Sequence, residues 1–289
     1  MKNIKYIPIF LIASLPSWAL NGISSFFAFL VDKIFKYRQK VITRNLTNSF
    51  PDKNKAEIDD IRTNFYRHFT DTLLESIQAY SLSKNRIKSK FKIVNLELLE
   101  ELYNEDRSII LYTAHFGNWE WLGFLPLYTD YLCTAFYQPL SNGYFDGLIK
   151  TIRERFGVVC IPSKQGFKTL LGYHKQNVKT INFIISDQSP QANSSIHWTS
   201  FLNQETPFLI GSERMAKKMN MAIVYPEFTK TKRGHYLVEF KLITKDAAET
   251  EGYEVVDRYA TLLEESIKKQ TELWLWSHRR WKIKPPQAV

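Results

Sequence analysis

The chain opens with a long apolar stretch. No charged side chain occurs from residue 6 to residue 31, and a helix needs only roughly 20 apolar residues to cross the hydrocarbon core of a bilayer. We therefore predict an N-terminal membrane anchor over residues 1–35. Pro8 and Pro16 interrupt the stretch, so a kinked or partly re-entrant helix is an open alternative.

A cleavable signal peptide is the main rival interpretation of this stretch. Ser17-Trp18-Ala19 loosely fits a small-x-small cleavage site. However, the apolar run resumes at residues 23–31 and leads directly into a basic cluster, which favours an uncleaved anchor. This flank also predicts a main domain on the cytoplasmic side. The basic residues are Lys33, Lys36, Arg38, Lys40 and Arg44.

Beyond the anchor, hydrophobic periodicity predicts an α/β domain over residues 36–289. Apolar positions recur at three and four from residue 52 to residue 80, which indicates an amphipathic helix. Strands and helices then alternate, and this order predicts a mixed, mostly parallel sheet flanked by helices. Residues 187–208 break the pattern and are predicted to form a long functional or mobile loop. The predicted strands cover 108–113, 132–137, 158–161, 180–186, 222–229 and 236–242, and the predicted helices start near 118 and cover 144–155, 166–175, 210–219 and 253–273.

Composition narrows the classes of function. The 39 Lys and Arg residues exceed the 29 Asp and Glu residues, and the formal net charge of +10 suits anionic partners such as phospholipid headgroups. No nucleic-acid motif accompanies this charge, so nucleic-acid binding is disfavoured. Cys133 and Cys160 lie in apolar runs and are predicted to be core residues. No metal-ligand spacing and no G-x-S-x-G nucleophile motif occurs.

The segment His115-Phe116-Gly117-Asn118-Trp119-Glu120 carries the candidate chemistry. His115 follows a predicted buried strand that ends at Thr113, and functional groups of α/β sheets gather at such carboxyl ends. Gly117 permits a tight turn. Glu120 would then reach the imidazole and fix its tautomer, which leaves the other ring nitrogen free to act as a base. The spacing alone also fits a histidine at a strand end beside a solvated glutamate.

The order of several motifs resembles one enzyme family. A strand, His-x-x-x-x-Glu and a helix is similar to the glycerolipid-type acyltransferase pattern, and its surroundings resemble the lipid A biosynthesis (lauroyl/myristoyl) acyltransferases. The matching segments are RNLTNSFP at 44–51, HFGNWE at 115–120, Asp187-Gln188, and WSHRRWK at 276–282. The resemblance extends over nearly the whole chain.

The resemblance implies transfer of a fatty acyl chain from acyl carrier protein, or from acyl-coenzyme A, to a hydroxyl of a lipid A precursor. It places the reaction at the cytoplasmic face of the inner membrane of a Gram-negative bacterium, without a metal or organic cofactor. His115 would be the general base and Glu120 its orienting group. Another lipid acceptor and a non-catalytic lipid-binding protein remain as alternatives.

The resemblance also implies substrate-binding residues. Asn118 belongs to the motif, and Asp187 and Gln188 are expected near the active site. A basic residue between the motifs would contact phosphate or stabilise the oxyanion, and we prefer Lys164 over Arg153 and Lys168.

Two further features concern the lipid. Arg279 and Arg280, flanked by tryptophans, indicate a phosphate-binding or interfacial patch; a solvated tail with its tryptophans packed on the core is the alternative. The acyl chain needs an apolar groove, and the motif aromatics Phe116, Trp119, Trp121 and Phe124 either line it or pack in the core.

Overall fold

A mostly parallel sheet forms the centre of the fold. The structure, a computed structural model, describes residues 6–191 and 194–285, so the first five residues of the predicted anchor and residues 286–289 lie outside it. Within the described ranges, the main sheet has seven strands in the order β1-β9-β8-β2-β5-β3-β4, and only β8 and β9 pair antiparallel. The strands are β1 (Phe91–Ile93), β2 (Ile109–Thr113), β3 (Leu132–Tyr137), β4 (Val159–Pro162), β5 (Thr180–Ile185), β6 (Ile196–Phe201), β7 (Gln204–Leu209), β8 (Ala222–Lys232) and β9 (His235–Thr244).

Strands β2 and β5 are neighbours in the middle of this sheet. Every residue of β2 is buried, because helices cover both faces of a parallel sheet. The two strands run parallel in a register that places Thr113 opposite Ile185. The residues that follow these strands therefore leave the sheet at the same edge, side by side. The predicted fold class is confirmed for this sheet and its flanking helices.

The helices surround the sheet, and local sequence sets several of their ends. The longest begins after a capping box, in which the Asn54 side chain accepts from the Glu57 amide and the Glu57 side chain accepts from the Asn54 amide. The helices are α1 (Ile7–Ala13), α2 (Ser17–Phe29), α3 (Gln39–Ser49), α4 (Lys55–Gln78), α5 (Lys84–Lys90), α6 (Glu97–Asn104), α7 (Gly143–Glu154), α8 (Gly166–Lys175), α9 (Gly211–Met219) and α10 (Glu254–Lys269).

The predicted N-terminal anchor is two helices rather than one. The chain breaks before Pro16, whose extended backbone precedes α2, and α2 continues as a π-helical turn over Leu30–Ile34. In the described part of the chain, no single helix combines the length and apolar character of a bilayer span. Only α1 taken together with Ser17–Ile34, at a bend of 107°, has that length and composition. A single N-terminal membrane helix is therefore not observed, and the bent pair matches the kinked or partly re-entrant alternative in length and composition alone.

Helix α2 lies along α4. Leu20, Ser24 and Ala28 recur every fourth residue and are buried on the side that faces α4. The Ser24 hydroxyl donates a 2.6 Å hydrogen bond to Oδ1 of Asp71 in α4. Polar and apolar contacts together therefore fix α2 on the domain.

Two predicted elements differ from the structure. Part of the predicted loop forms the antiparallel β6–β7 hairpin, a separate small sheet that contacts α10. The sequence pattern did not predict these strands, because most residues of β6 are only half-buried and its apolar residues do not alternate regularly with polar ones. The helix predicted from residue 118 is a 3-10 helix over Trp119–Leu127, and Pro126 inside it cannot donate to an α-helical ladder.

The two cysteines are free and buried, as predicted for core residues. Burial raises the pKa of the Cys133 thiol to about 12 and that of Cys160 to about 11. Both are therefore protonated at neutral pH and unreactive as nucleophiles.

Candidate active site

The carboxyl ends of β2 and β5 bring His115 and Asp187 together. Nδ1 of His115 lies 2.8 Å from Oδ1 of Asp187, and the backbone N–H of His115 donates to Oδ2 at 3.1 Å. The two residues are 72 positions apart in the chain, and the parallel register of their strands makes them neighbours. Asp187 therefore holds both the backbone and the imidazole of His115.

These contacts select one tautomer of the imidazole. An ionised Asp187 only accepts hydrogen bonds, so Nδ1 of His115 carries a proton, and Nε2 is the ring nitrogen that can offer a lone pair. The side-chain nitrogen of Gln188 lies 3.4 Å from Nε2, as expected for a donor facing an acceptor. The His115 side chain is 19% exposed, so a substrate can reach it. The arrangement suits a general base.

The buried carboxylate of Asp187 accepts hydrogen bonds from three donors. Burial alone would raise its pKa, but the neighbouring His115 and the hydrogen bonds from His115 and Trp274 hold the pKa below its usual value. The indole N–H of Trp274 donates to Oδ2 at 2.8 Å. Trp274 was missed in the sequence, where nothing about its position links it to a strand end.

Glu120 has a different partner from the one that we predicted. In the described structure, its carboxylate forms a two-pronged ion pair with Arg153 of α7, with Nε–Oε2 at 2.8 Å and Nη2–Oε1 at 2.6 Å. Burial would raise the pKa of Glu120, but Arg153 lowers it below its usual value. The position that orients His115 is occupied by Asp187. This is a correction to the expected His115–Glu120 hydrogen bond.

The basic residue beside the motif is Arg153, one of three that the sequence left available. Lys164, which we preferred, lies exposed in the turn after β4 and forms no ion pair with a described carboxylate. The side chain of Arg153 reaches the motif because α7 packs against the 3-10 helix that contains Glu120. No sequence spacing encodes that packing.

A glycine shapes the turn between His115 and Glu120. Gly117 has a φ of +61°, and a Cβ there would lie 2.8 Å from Cβ of Phe228. The turn is held from behind by His68 of α4, whose Nε2–H donates to the Gly117 carbonyl at 3.2 Å. Burial lowers the pKa of His68 to about 3, so this histidine is neutral at physiological pH.

Asn118 supports the turn instead of facing a substrate. Its side chain is fully buried, and its Nδ2 donates to Oε2 of Glu75 at 2.8 Å. Tyr236 donates to the same oxygen at 2.9 Å, and burial raises the pKa of the Glu75 carboxyl. The expected substrate-binding role of Asn118 is corrected to an internal contact.

The C-terminal segment forms a wall beside His115. Leu275 donates its N–H to the His115 carbonyl at 3.1 Å, and Nε2 of His278 accepts from the Ser189 amide at 3.1 Å. Burial lowers the pKa of His278 to about 4. These contacts place the end of the described chain within the site.

Arg279 and Arg280 point in different directions. Arg279 is exposed. Arg280 is buried, donates to the Pro207 carbonyl at 2.6 Å and lies 4.6 Å from the ring centroid of Phe208. Trp276 is buried as well. The expected patch is therefore corrected to a packed segment in which, of the two arginines, Arg280 is buried and Arg279 faces solvent.

A small cavity adjoins the Glu120–Arg153 pair. Its volume is about 40 Å³, room for water but far too little for a fatty acyl chain. Of the motif aromatics, only Trp119 lines it; Phe116, Trp121 and Phe124 are core residues. Its apolar lining residues are Leu122, Ala135, Phe136, Val158, Phe183 and Ile185.

Comparisons with known proteins identify the enzyme class to which the chain belongs. A carboxylate-oriented histidine at the carboxyl edge of a mostly parallel sheet can act as a base towards a hydroxyl. Residues 4–283 match the family model described as bacterial lipid A biosynthesis acyltransferase. The chain belongs to this family and is an acyltransferase.

Individual relatives agree with this family. The chain is 22% identical over 255 residues to the lipid A biosynthesis palmitoleoyltransferase of Escherichia coli, with 86% of this chain and 80% of the relative covered. It is 25% identical over 284 residues to a lipid A biosynthesis acyltransferase of Haemophilus influenzae, with 96% and 89% covered.

Proposed function

We propose that this enzyme transfers a fatty acyl group from a carrier-bound thioester to a hydroxyl of a lipid A precursor, with His115 as general base. The observation that carries the mechanism is the hydrogen bond from Nδ1 of His115 to Asp187, which leaves Nε2 as the basic atom on the accessible side. Family membership supports lipid A chemistry. Acyl carrier protein is the proposed donor, because a basic protein suits an acidic carrier.

In the proposed reaction, His115 first accepts a proton and then returns it. Nε2 of His115 takes the proton of the acceptor hydroxyl as its oxygen attacks the thioester carbonyl carbon. The tetrahedral intermediate collapses, the C–S bond breaks, and the departing thiolate takes the proton from the imidazolium. Asp187 stabilises the imidazolium and holds the ring in place through both steps, as a carboxylate does beside a catalytic histidine.

Glu120 and Arg153 have a supporting role in this proposal. Their ion pair fixes the guanidinium at the edge of the cavity beside the motif. From there, Arg153 brings positive charge to a substrate phosphate or to the oxygen that becomes negative during attack. Gln188, beside Nε2, is proposed to contact the acceptor hydroxyl.

We also propose that residues 1–35 hold the enzyme on the cytoplasmic face of the inner membrane. The outer faces of α1 and α2 expose large apolar side chains, among them Leu11 at 66%, Trp18 at 78% and Phe26 at 60%. Isolated exposed apolar residues are ordinary, but this many on adjoining helices favour contact with lipid.

The decisive experiment replaces the base. His115→Ala is expected to lower the rate of acyl transfer from an acyl carrier protein thioester to a lipid A precursor about 10⁴-fold, the upper range for removal of a general base. His174→Ala, at an exposed histidine of α8, is the matched control and retains the rate. The melting temperature of each variant reports whether its fold is intact.

Two results would overturn the proposal. Wild-type rates in a folded His115→Ala protein would remove the histidine from the mechanism. Lipid mass spectrometry after deletion of the gene tests the acceptor, and lipid A that keeps all its acyl chains would contradict it.

A further inference from the structure

A basic groove lies on the surface between α3 and the start of α4. Its volume is about 780 Å³. Five of its lining side chains are basic and only one, Asp59, is acidic. The basic residues are Lys40, Arg44, Lys53, Lys55 and Arg62.

Most of this positive charge is not neutralised by the protein. Arg62 pairs with Asp59 at 2.5 Å, and Lys53 lies 3.6 Å from Glu57. Lys40, Arg44 and Lys55 are exposed and form no ion pair with any described carboxylate. Lys40 and Arg44 are also four residues apart on one helix, where like charges repel. Such a cluster attracts anions from outside the protein.

The groove adjoins the exposed apolar segment at the end of α2. Arg62 reaches Asp32 in the π-helical turn, with Nε–Oδ1 at 3.8 Å. Around Asp32, the side chains of Phe29, Ile34 and Phe35 are 56%, 58% and 71% exposed. Aromatic and aliphatic residues beside a cluster of Lys and Arg make the combination that binds the surface of an anionic bilayer.

The same helix connects the groove to the active site. The inner face of α3 carries Asn45, whose Nδ2 donates to the carbonyls of Trp276 and His278, both at 2.9 Å. That segment is the wall beside His115. A lipid surface held at the outer face of α3 would therefore lie one helix away from the reacting groups.

We infer that this groove binds the phosphate groups of anionic phospholipids in the bilayer on which the apolar segment rests. The inference goes beyond acyl transfer, since these lipids are a docking surface and not the acceptor. An acidic protein also suits the charge, but the adjoining apolar residues favour a membrane as the occupant.

The test measures flotation of the full chain with vesicles of phosphatidylcholine alone and of phosphatidylcholine mixed with phosphatidylglycerol. The variant K40Q/R44Q/K55Q removes the three unpaired charges from exposed positions. It is expected to lose about 100-fold of the affinity for the mixed vesicles, from about fivefold for each of the three charges near an anionic surface. Binding to phosphatidylcholine alone changes little.

A control variant removes the same charges elsewhere. K175Q/K218Q/R258Q, on α8, α9 and α10, also neutralises two exposed lysines and one exposed arginine, and it is expected to bind as the wild type does. Equal binding of the two variants to mixed vesicles would overturn the inference. So would a groove variant that floats normally but is no longer retained on immobilised acyl carrier protein, since a protein would then be the occupant.

Discussion

The two carboxylates at the active edge of the sheet, Asp187 and Glu120, differ in partner and in burial. Asp187 is 2% exposed and accepts hydrogen bonds from an imidazole, an indole and a backbone amide. Glu120 is 19% exposed and receives the guanidinium of Arg153. The first carboxylate touches a group that gains and loses a proton in the proposed reaction, whereas the second touches a group that is charged throughout.

This difference separates two kinds of contribution. A carboxylate on Nδ1 decides which tautomer the histidine adopts, and it stabilises the charge that the ring acquires. A carboxylate on an arginine decides where a fixed positive charge lies. The motif spacing brings both acids to one edge of the sheet, but the reaction should depend on them unequally.

The largest expected contrast is between Asp187→Asn and Glu120→Gln. The asparagine removes the charge that stabilises the imidazolium and can favour the wrong tautomer, so the transfer rate is expected to fall about 10⁴-fold. Glu120→Gln weakens one charged pair, worth about 1.5 kcal/mol or about tenfold in rate. Initial rates with a carrier thioester and a lipid A precursor measure both.

The reverse order would break the comparison. If Glu120→Gln were the more damaging change while both proteins kept the wild-type melting temperature, Glu120 and not Asp187 would act on His115 during the reaction. Equal losses would mean that the two pairs work as one unit.

The buried His68 gives a second contrast, in stability. Its folded pKa is lowered to about 3, whereas an unfolded histidine titrates near about 6.5. Its contribution is therefore complete above about pH 6.5 and is lost as pH falls towards 3, at about 1.4 kcal/mol per pH unit. Urea unfolding across this range is expected to show a shallower pH dependence for His68→Gln by that slope.

His174→Gln, the same substitution at an exposed histidine of α8, is the matched control. A change of slope shared by both variants would not be assigned to His68. An unchanged slope in His68→Gln would contradict the neutral buried state and hence its Nε2–H donation to the Gly117 carbonyl.

The smallest effect concerns the turn that separates the two acids. Gly117→Ala forces a left-handed residue and a contact with Phe228, and we expect a loss of about 2 kcal/mol in unfolding free energy. Gly172→Ala, inside α8 with nothing within 4 Å of an added Cβ, is expected to gain up to about 1 kcal/mol. Thermal unfolding distinguishes them, and equal melting temperatures would show that the turn tolerates a side chain.

Several elements followed directly from the pattern of residues. The helix expected over residues 52–80 is α4, and the strands expected at 108–113, 132–137 and 180–186 are β2, β3 and β5, within a few residues. These elements are predictable because a helix with one buried face, or a fully buried strand, has a characteristic pattern of apolar residues. The hairpin β6–β7 was not, because most of β6 is only half-buried.

The N-terminal segment also has a feature that residue patterns do not predict. Its apolar composition predicted contact with lipid and its prolines left a kink open, but neither predicted where α2 docks. The bend before α2 has a local signal in Pro16, whereas the docking of α2 depends on Ser24 meeting Asp71. Those two residues are 47 positions apart, so only the folded chain brings them together.

The sequence by itself determined that this chain is an α/β acyltransferase with a motif histidine at the end of a buried strand, because strand burial, turn chemistry and motif order are local properties. The tertiary structure alone decided which acid orients that histidine, which arginine pairs with Glu120, and that Arg280 is buried. Each of these depends on the register of β2 against β5 or on the packing of α7 and the C-terminal segment. Contacts between distant segments depend on how the whole chain packs, so the spacing of residues in the sequence does not predict them.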